Sequence, residues 1–291
     1  MNRPDLTARI LREMDDLPPM PAAASRVLAM VGDPRTDVAD LAEAVGSDVA
    51  LSARVLKLAN SAFYGFPRQV TTLREAIIVL GMRTVKELVL TAWSYDLGNR
   101  PLPGYALEGG DLWRHSLLCA GACRLLAKRL DLPNPEEAYV AGLLHDFGKL
   151  VLAQFVGQEY QDLLEKVEEH GLSFVEAERQ ILGVDHAQLG GQLALKWNLP
   201  LHLAEAIANH HQPSQPILGS GPPGQVARLT ALVHVADAVV LMLGVGVGRD
   251  GLAYPFEEAA LAALGMGEDG ILAFTSEVSS LVETGALKFE L

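Results

Sequence analysis

All eight histidines of the 291-residue chain lie beyond residue 110, and most of them occupy segments whose other positions are apolar. His115 lies in DLWRHSLLCAGACRLLAKRL, and His145 and Asp146 end EEAYVAGLLHD. His186 follows Asp185 in VDHAQLGGQLALKWNLP, His210 and His211 close LHLAEAIANHH, and Asp237 sits in the middle of TALVHVADAVVLML. Each has an ordinary explanation when taken alone. A single histidine finds a hydrogen bond in the core, His210 and His211 complement the negative end of their helix, and Asp237 pairs with His234. Together these explanations become costly, because every buried polar group needs its own partner and every buried carboxylate a counter-charge. A shared centre meets all the demands at once. The pattern therefore favours a fold that brings several separate segments to one point.

Those segments read as helices. Thr36 is placed to cap a stretch in which Val38, Leu41, Ala42 and Val45 share a face before Gly46. Thr72 and Glu75 have capping-box spacing, followed by the stripe Leu73, Ile77, Leu80 and the terminator Gly81. Val85, Leu88, Val89 and Ala92 continue the period, and FEEAALAALGMGEDGILAFTSEVSSLVETG reads as two covering helices split at Gly265 and Gly267. No stretch alternates long enough to make a strand. The expectation is an all-α, two-lobed protein. The Pro- and Gly-rich GNRPLPGYALEGG (residues 98–110) marks the join, giving lobes 1–104 and 105–291. A second irregular stretch, Gln212 to Gln225, follows the paired histidines and is long enough for a lid or for a plain surface connection.

Bulk properties narrow the class. Lys and Arg number 23 against 36 Asp and Glu, a net charge of −13, which repels nucleic acid. The N-terminal MNRPDLTARILREMDD is amphipathic and lacks a secretory apolar core, and the longest apolar run, roughly Ala227 to Gly248, carries His234 and Asp237. A cytoplasmic protein that does not enter the membrane is expected. The two cysteines, Cys119 and Cys123, are spaced as neighbours on one helix face and read as small buried thiols. His170 belongs to a helix end, His202 to a solvent-facing helix start, and His234 to core packing or to a contact that orients Asp237.

Imidazole and carboxylate are ligands for iron, manganese, zinc or nickel, and a divalent ion supplies the positive charge that buried acids need. Adjacent helical residues project about 100° apart, so His145 and Asp146 can occupy different coordination positions, and a carboxylate can bridge two ions. The spacing does not choose among these metals.

Beyond residue types, LWRHS, AGLLHDFGKLVL, VDHAQLGGQLALKWNLP, AIANHH and HVAD resemble the HD superfamily of metal-dependent phosphohydrolases. LPPMPAAASRVLAMVGDPRTDVADLAEAVGSDVALSARVLKLANSAFYGFPRQVTTLREAIIVLGMRTVKELVL is similar to the start of an HDOD domain, a bacterial signal-transduction module related to that superfamily. Together the matches run from about Leu17 to Asp237. The resemblance implies one ion held by His115, His145, Asp146 and Asp237, and a second, sharing Asp146, held by His186, His210 and His211. A di-iron pair is among the centres it allows. It also implies that Lys149, the motif lysine, contacts a phosphate or tunes the site, with Asp146 at the heart of any reaction. The glycine-, tyrosine- and proline-containing signature of HD-GYP phosphodiesterases is replaced here by HHQPSQPILGSGPPG, so the resemblance does not extend to cyclic-dinucleotide cleavage.

Two functions follow. One is a signalling module whose metal is structural or ligand-sensing, with a protein partner or a small phosphorylated or nucleotide ligand. In that case Asn60, Ser61, Phe63 and Tyr64 form either a binding surface or a well-packed turn. The other is a metal-dependent phosphohydrolase.

Overall fold

The structure, a computed structural model, describes residues 9, 10, 12, 14, 19–61, 64, 68–105, 107–153, 172–214, 224–245 and 255–284. Phe63, His170, most of the N-terminal amphipathic stretch and the centre of the Gln212–Gln225 stretch lie outside them. Every regular element among the described residues is helical, and the one strand-like feature is an isolated antiparallel bridge between Leu102 and Leu107. The fold is all-α. The described residues fall into two compact units, one within Pro19–Asp96 and one within Leu97–Leu287 together with the N-terminal segment Met1–Pro18.

The first unit contains α1 (Ala22–Ala29), α2 (Val38–Gly46), α3 (Val49–Ala59), α4 (Leu73–Leu80) and most of α5 (Met82–Gly98). Asp37, not Thr36, caps α2. Its carboxylate accepts from the amides of Ala39 and Asp40, and Asp40 answers to the Asp37 amide. Two cap-competent residues stand side by side there, and the second one closes the reciprocal box. At α4, Thr72 accepts from the Glu75 amide as expected, whereas the Glu75 carboxylate pairs with Arg68 at 2.5 Å. Gly81 ends that helix at φ 84°, a conformation that disfavours other residues. Asn60 closes the stretch after α3: its amide donates to the carbonyls of Leu56 and Val70, and its oxygen accepts from the Val70 amide, each at 2.8 Å. Of the two roles open to LANSAFYG, Asn60 fills that of the turn.

The second unit contains a 3-10 turn (Pro103–Tyr105), α6 (Asp111–Arg129), α7 (Pro135–Leu144), α8 (Gly148–Leu152), α9 (Phe174–Ile181), α10 (His186–Lys196), α11 (Leu201–Ala208), α12 (Gln225–Met242), α13 (Glu258–Leu264) and α14 (Glu268–Thr284). Helix α12 packs on α6, α7, α11, α13 and α14. By length and hydropathy α12 would suffice to cross a membrane, yet 72% of its apolar window is buried inside the unit, as befits a core helix carrying Asp237. The two covering helices are present, with Gly265 between them in the left-handed region.

Close helix approach depends on a glycine of the HDFGKL motif. A Cβ on Gly148 would lie 1.8 Å from the His186 carbonyl oxygen and 2.7 Å from the Gly190 amide, so α8 and α10 touch through backbone alone. This contact places the start of α10 beside the His145–Asp146 pair.

Two stability measurements test this account. Asn60→Ala removes three hydrogen bonds made by an exposed residue and should lower unfolding stability in urea by about 1–2 kcal/mol. Gly148→Ala forces α8 off α10 and should cost about 3 kcal/mol or more. A Gly148→Ala variant that melts together with the parent would contradict the close approach.

Candidate metal centre

Two helices of the second unit end alike. Helix α7 stops at Leu144 with His145 as its C-cap, and α11 stops at Ala208 with His210 just past its C-cap, Asn209. The paired histidines thus lie in the turn after α11, not on the helix. In both places the ring folds back. His145 Nδ1 donates to the Gly142 carbonyl at 2.8 Å and His210 Nδ1 to that of Ile207 at 2.7 Å. A carbonyl only accepts, so Nδ1 carries the proton in each ring. Last-turn carbonyls that lack helical partners are satisfied, and Nε2 is left for other work. The helix-end role open to His210 is real, and the same bond leaves its Nε2 among the other donor atoms.

His115 and His186 are fixed by the same logic from other positions. In the second turn of α6, His115 Nδ1 donates to the Val245 carbonyl at 3.0 Å. His186 is the first residue of α10, whose N-cap Asp185 accepts from the Gln188 amide at 2.7 Å, as the spacing predicts. Its Nδ1 lies 2.8 Å from Glu178 Oε2, its amide donates to the same oxygen at 2.7 Å, and Tyr105 donates its hydroxyl to Glu178 Oε1 at 2.7 Å. Hydrogen bonding at the far nitrogen sets the tautomer and raises the ligand strength of Nε2.

The Nε2 atoms converge. His115 Nε2 lies 3.3 Å from His145 Nε2, and Asp237 Oδ1 lies 3.1 Å from the first and 3.6 Å from the second. His186 Nε2 and His211 Nε2 are 3.0 Å apart. Asp146 stands between the groups: Oδ2 is 3.6 Å from both His115 and His145, while Oδ1 is 3.2 Å from His186 and 4.0 Å from His210. Lys149 places Nζ 2.6 Å from Oδ2 and 5.6 Å from the centre of the Tyr105 ring. His145, His186 and His210 are fully buried, and His115, Asp146 and Asp237 are at most 4% exposed.

Two sets of donor atoms lie within 4.8 Å of one another: His115, Cys119, His145 and Asp237, and Asp146, His186, His210 and His211. All seven residues expected to bind metal fall in these sets. Their chemistry fits a cation. With both Nδ1 protons committed, the Nε2 atoms of His115 and His145 face each other lone pair to lone pair unless a proton or a cation lies between them. His210 Nε2 is buried with no hydrogen-bond partner among the described residues, a costly state that coordination relieves. The C-terminal ends of α7 and α11 add partial negative charge.

The charges agree. Burial opposes ionisation of Asp146, yet Lys149, His145 and His186 hold its carboxyl well below the usual range, and His115 and His145 do the same for Asp237. Burial pulls His186 down, but Glu178 and Asp146 outweigh it and raise it to about 10. His145 rises against burial because of Asp146 and Asp237. His210 is pushed down to about 3, first by burial and then by His145 and His186, so its ring is neutral and its lone pair available.

Some of the site has no clear trace in the sequence. Glu178 occupies a position on the inward stripe of α9 with Phe174 and Ala177, where an apolar residue is expected; that substitution is its signal. Tyr105 comes from the stretch that reads as a join, where Pro103–Tyr105 form a 3-10 turn that buries the Tyr105 ring. Cys119 lies one helical turn from His115 with Sγ 3.5 Å from His115 Nε2. His234 uses both nitrogens elsewhere, donating from Nδ1 to the His210 carbonyl at 2.9 Å and accepting at Nε2 from the Glu257 amide at 3.0 Å, so it does not orient Asp237. His202 faces Glu137 at 3.3 Å and is half-buried, not simply solvent-facing.

Comparison with known proteins places this site in context. An HDOD domain protein of unknown function from Geobacter sulfurreducens is 28% identical, with 99% of both chains covered and a TM-score of 0.75. A protein of Shewanella amazonensis SB2B, provisionally described as a phosphohydrolase, is 26% identical over 94% of this chain and 93% of its own, with a TM-score of 0.66. An uncharacterized protein of Treponema pallidum is 30% identical over 217 residues, 71% of this chain. The chain spans less than half the length of the curated relatives it matches, 40% and 24%. The HDOD domain family model matches residues 17–213. Since that match takes in well over half of the sequence, the chain belongs to the HDOD family.

Proposed function

We propose that this chain is a regulatory signal-transduction module whose second unit holds one or two divalent ions. One ion is taken by His115, His145, Asp146 and Asp237, and the other by Asp146, His186, His210 and His211. The observation that carries the reading is the commitment of four ring Nδ1 atoms to fixed acceptors, which leaves their Nε2 atoms converging on two buried carboxylates. Such a set is preorganised for a cation. The near-complete burial of six of the seven donors, all but the half-buried His211, supports a structural or sensing centre, because a catalytic ion keeps an open position for substrate. Input arrives as a small phosphorylated or nucleotide ligand, or output passes to a protein partner, in the cytoplasm. Net charge −13 disfavours nucleic acid in either role.

Hydrolysis of a phosphate ester is the second reading. It is favoured by Lys149, which is only partly buried and whose ammonium beside Asp146 could pair with a phosphate oxygen. The Shewanella relative's description points the same way. A divalent pair would supply Lewis acidity toward phosphorus-bound oxygen. Asp146 would hold the ions in register, Lys149 would hold the phosphate, and the Tyr105–Glu178–His186 chain would keep the imidazole in place.

Elemental analysis of protein purified without a chelating tag should find between one and two equivalents of iron, manganese, nickel or zinc. Asp146→Ala should lose nearly all of it, whereas His210→Ala should lose only the second equivalent. Metal-free parent protein that cannot be reloaded would refute the metal reading. Assay on nitrophenyl phosphate mono- and diesters with Fe, Mn or Ni separates the two functions. The regulatory reading expects rates at the metal blank, and turnover that vanishes in Asp146→Ala would establish the hydrolase.

A further inference from the structure

We infer that Cys119 is a thiolate ligand of the first ion, which makes that site selective for a borderline or soft metal, zinc or ferrous iron, over manganese or magnesium. The inference rests on the metal reading above and deepens it. His115 and Cys119 stand four residues apart on α6, so both side chains leave the same face, and Cys119 Sγ lies 3.5 Å from His115 Nε2. Three further edges of the donor set are 3.3 Å from His115 Nε2 to His145 Nε2, and 3.1 Å and 3.6 Å from Asp237 Oδ1 to these two nitrogens, and the Cys119 sulfur lies within 4.8 Å of the His145 and Asp237 donor atoms. A tetrahedral ion bonded at about 2.0–2.3 Å holds its ligands roughly 3.3–3.7 Å apart. The spacings found are close to those such an ion requires.

Charge favours the same assignment. Within the set of His115, Cys119, His145 and Asp237, Asp237 and a Cys119 thiolate supply two negative charges against one divalent ion, while the charge of the shared Asp146 is met by Lys149, 2.6 Å from its Oδ2, so the buried centre avoids the cost of unbalanced charge. On binding, the Cys119 S–H bond breaks, a sulfur–metal bond forms and the proton leaves to solvent. Thiolate is a poor ligand for manganese and magnesium and a good one for zinc, iron and cobalt. Cys123 is buried one turn further along α6, where a Cβ on Gly142 would meet its sulfur at 2.7 Å, and it belongs to the α6–α7 packing contact rather than to the donor set.

Cobalt(II) added to the metal-free 291-residue chain is the direct probe. A thiolate-to-cobalt charge-transfer band in the near ultraviolet, with a sulfur scatterer at about 2.3 Å by X-ray absorption, is expected. Cys119→Ser should abolish both signals and weaken cobalt binding at one equivalent by tenfold or more. Cys123→Ser should retain both signals. Circular dichroism confirms that each variant is folded. Cobalt bound through nitrogen and oxygen alone in the parent overturns the Cys119 assignment while leaving the metal reading intact. No cobalt bound in the parent overturns both.

Discussion

Two carboxylates, Asp146 and Asp237, are buried almost completely in the second unit, and their compensation governs how that unit is built. An isolated buried carboxylate costs several kcal/mol, on the order of the net stability of a domain. Asp146 is met on one oxygen by His115, His145 and Lys149 and on the other by His186, so several helices answer to one side chain. Asp237 draws on His115 and His145 as well. The imidazoles in turn are anchored by fixed acceptors, including helix-end carbonyls and the Glu178 carboxylate. Removing any one member strands another.

Helix termini carry most of this arrangement. His145 and His210 serve twice, closing the carbonyl end of a helix with one nitrogen and presenting the other inward. His186 uses the opposite terminus, where the capped first turn of α10 presents both its amide and its ring to Glu178. These ends meet because α8 and α10 approach through Gly148, and α10 and α11 approach likewise: a Cβ on Gly191 would fall 2.6 Å from that of Ala208. Small residues set the distance, and polar side chains exploit it.

The helices and the candidate donor residues are legible in the sequence because both have local signatures. Apolar periodicity, Gly81 and the Asp185–Gln188 cap are encoded within a few residues, and an imidazole in an apolar run declares itself. What stays hidden is relational. Glu178 and Tyr105 matter through partners 8 and 73 residues away, and nothing local in VEAERQ or LPGYAL records those pairings. Thr36 and Asp37 are equally good caps by residue type, and only the reciprocal bond with Asp40 decides between them. His234 stands one turn from Asp237 on its own helix, yet its partners are the His210 carbonyl and the Glu257 amide from other elements. Cys119 looks like a twin of Cys123 along the chain, whereas the neighbour that its sulfur meets is His115.

His234 also shows where the working unit ends. The family match stops at residue 213, yet the carboxylate facing His115, the Val245 carbonyl that holds His115, and the Glu257 amide that steadies His234 beneath His210 all come later in the chain. A fragment trimmed to the recognisable domain would keep seven of the eight histidines and lose His234 and the parts that hold the others. The boundary that homology draws and the boundary that electrostatics requires differ by the stretch from residue 213 to Glu257, and the second is the one an engineered or expressed piece of this protein must respect.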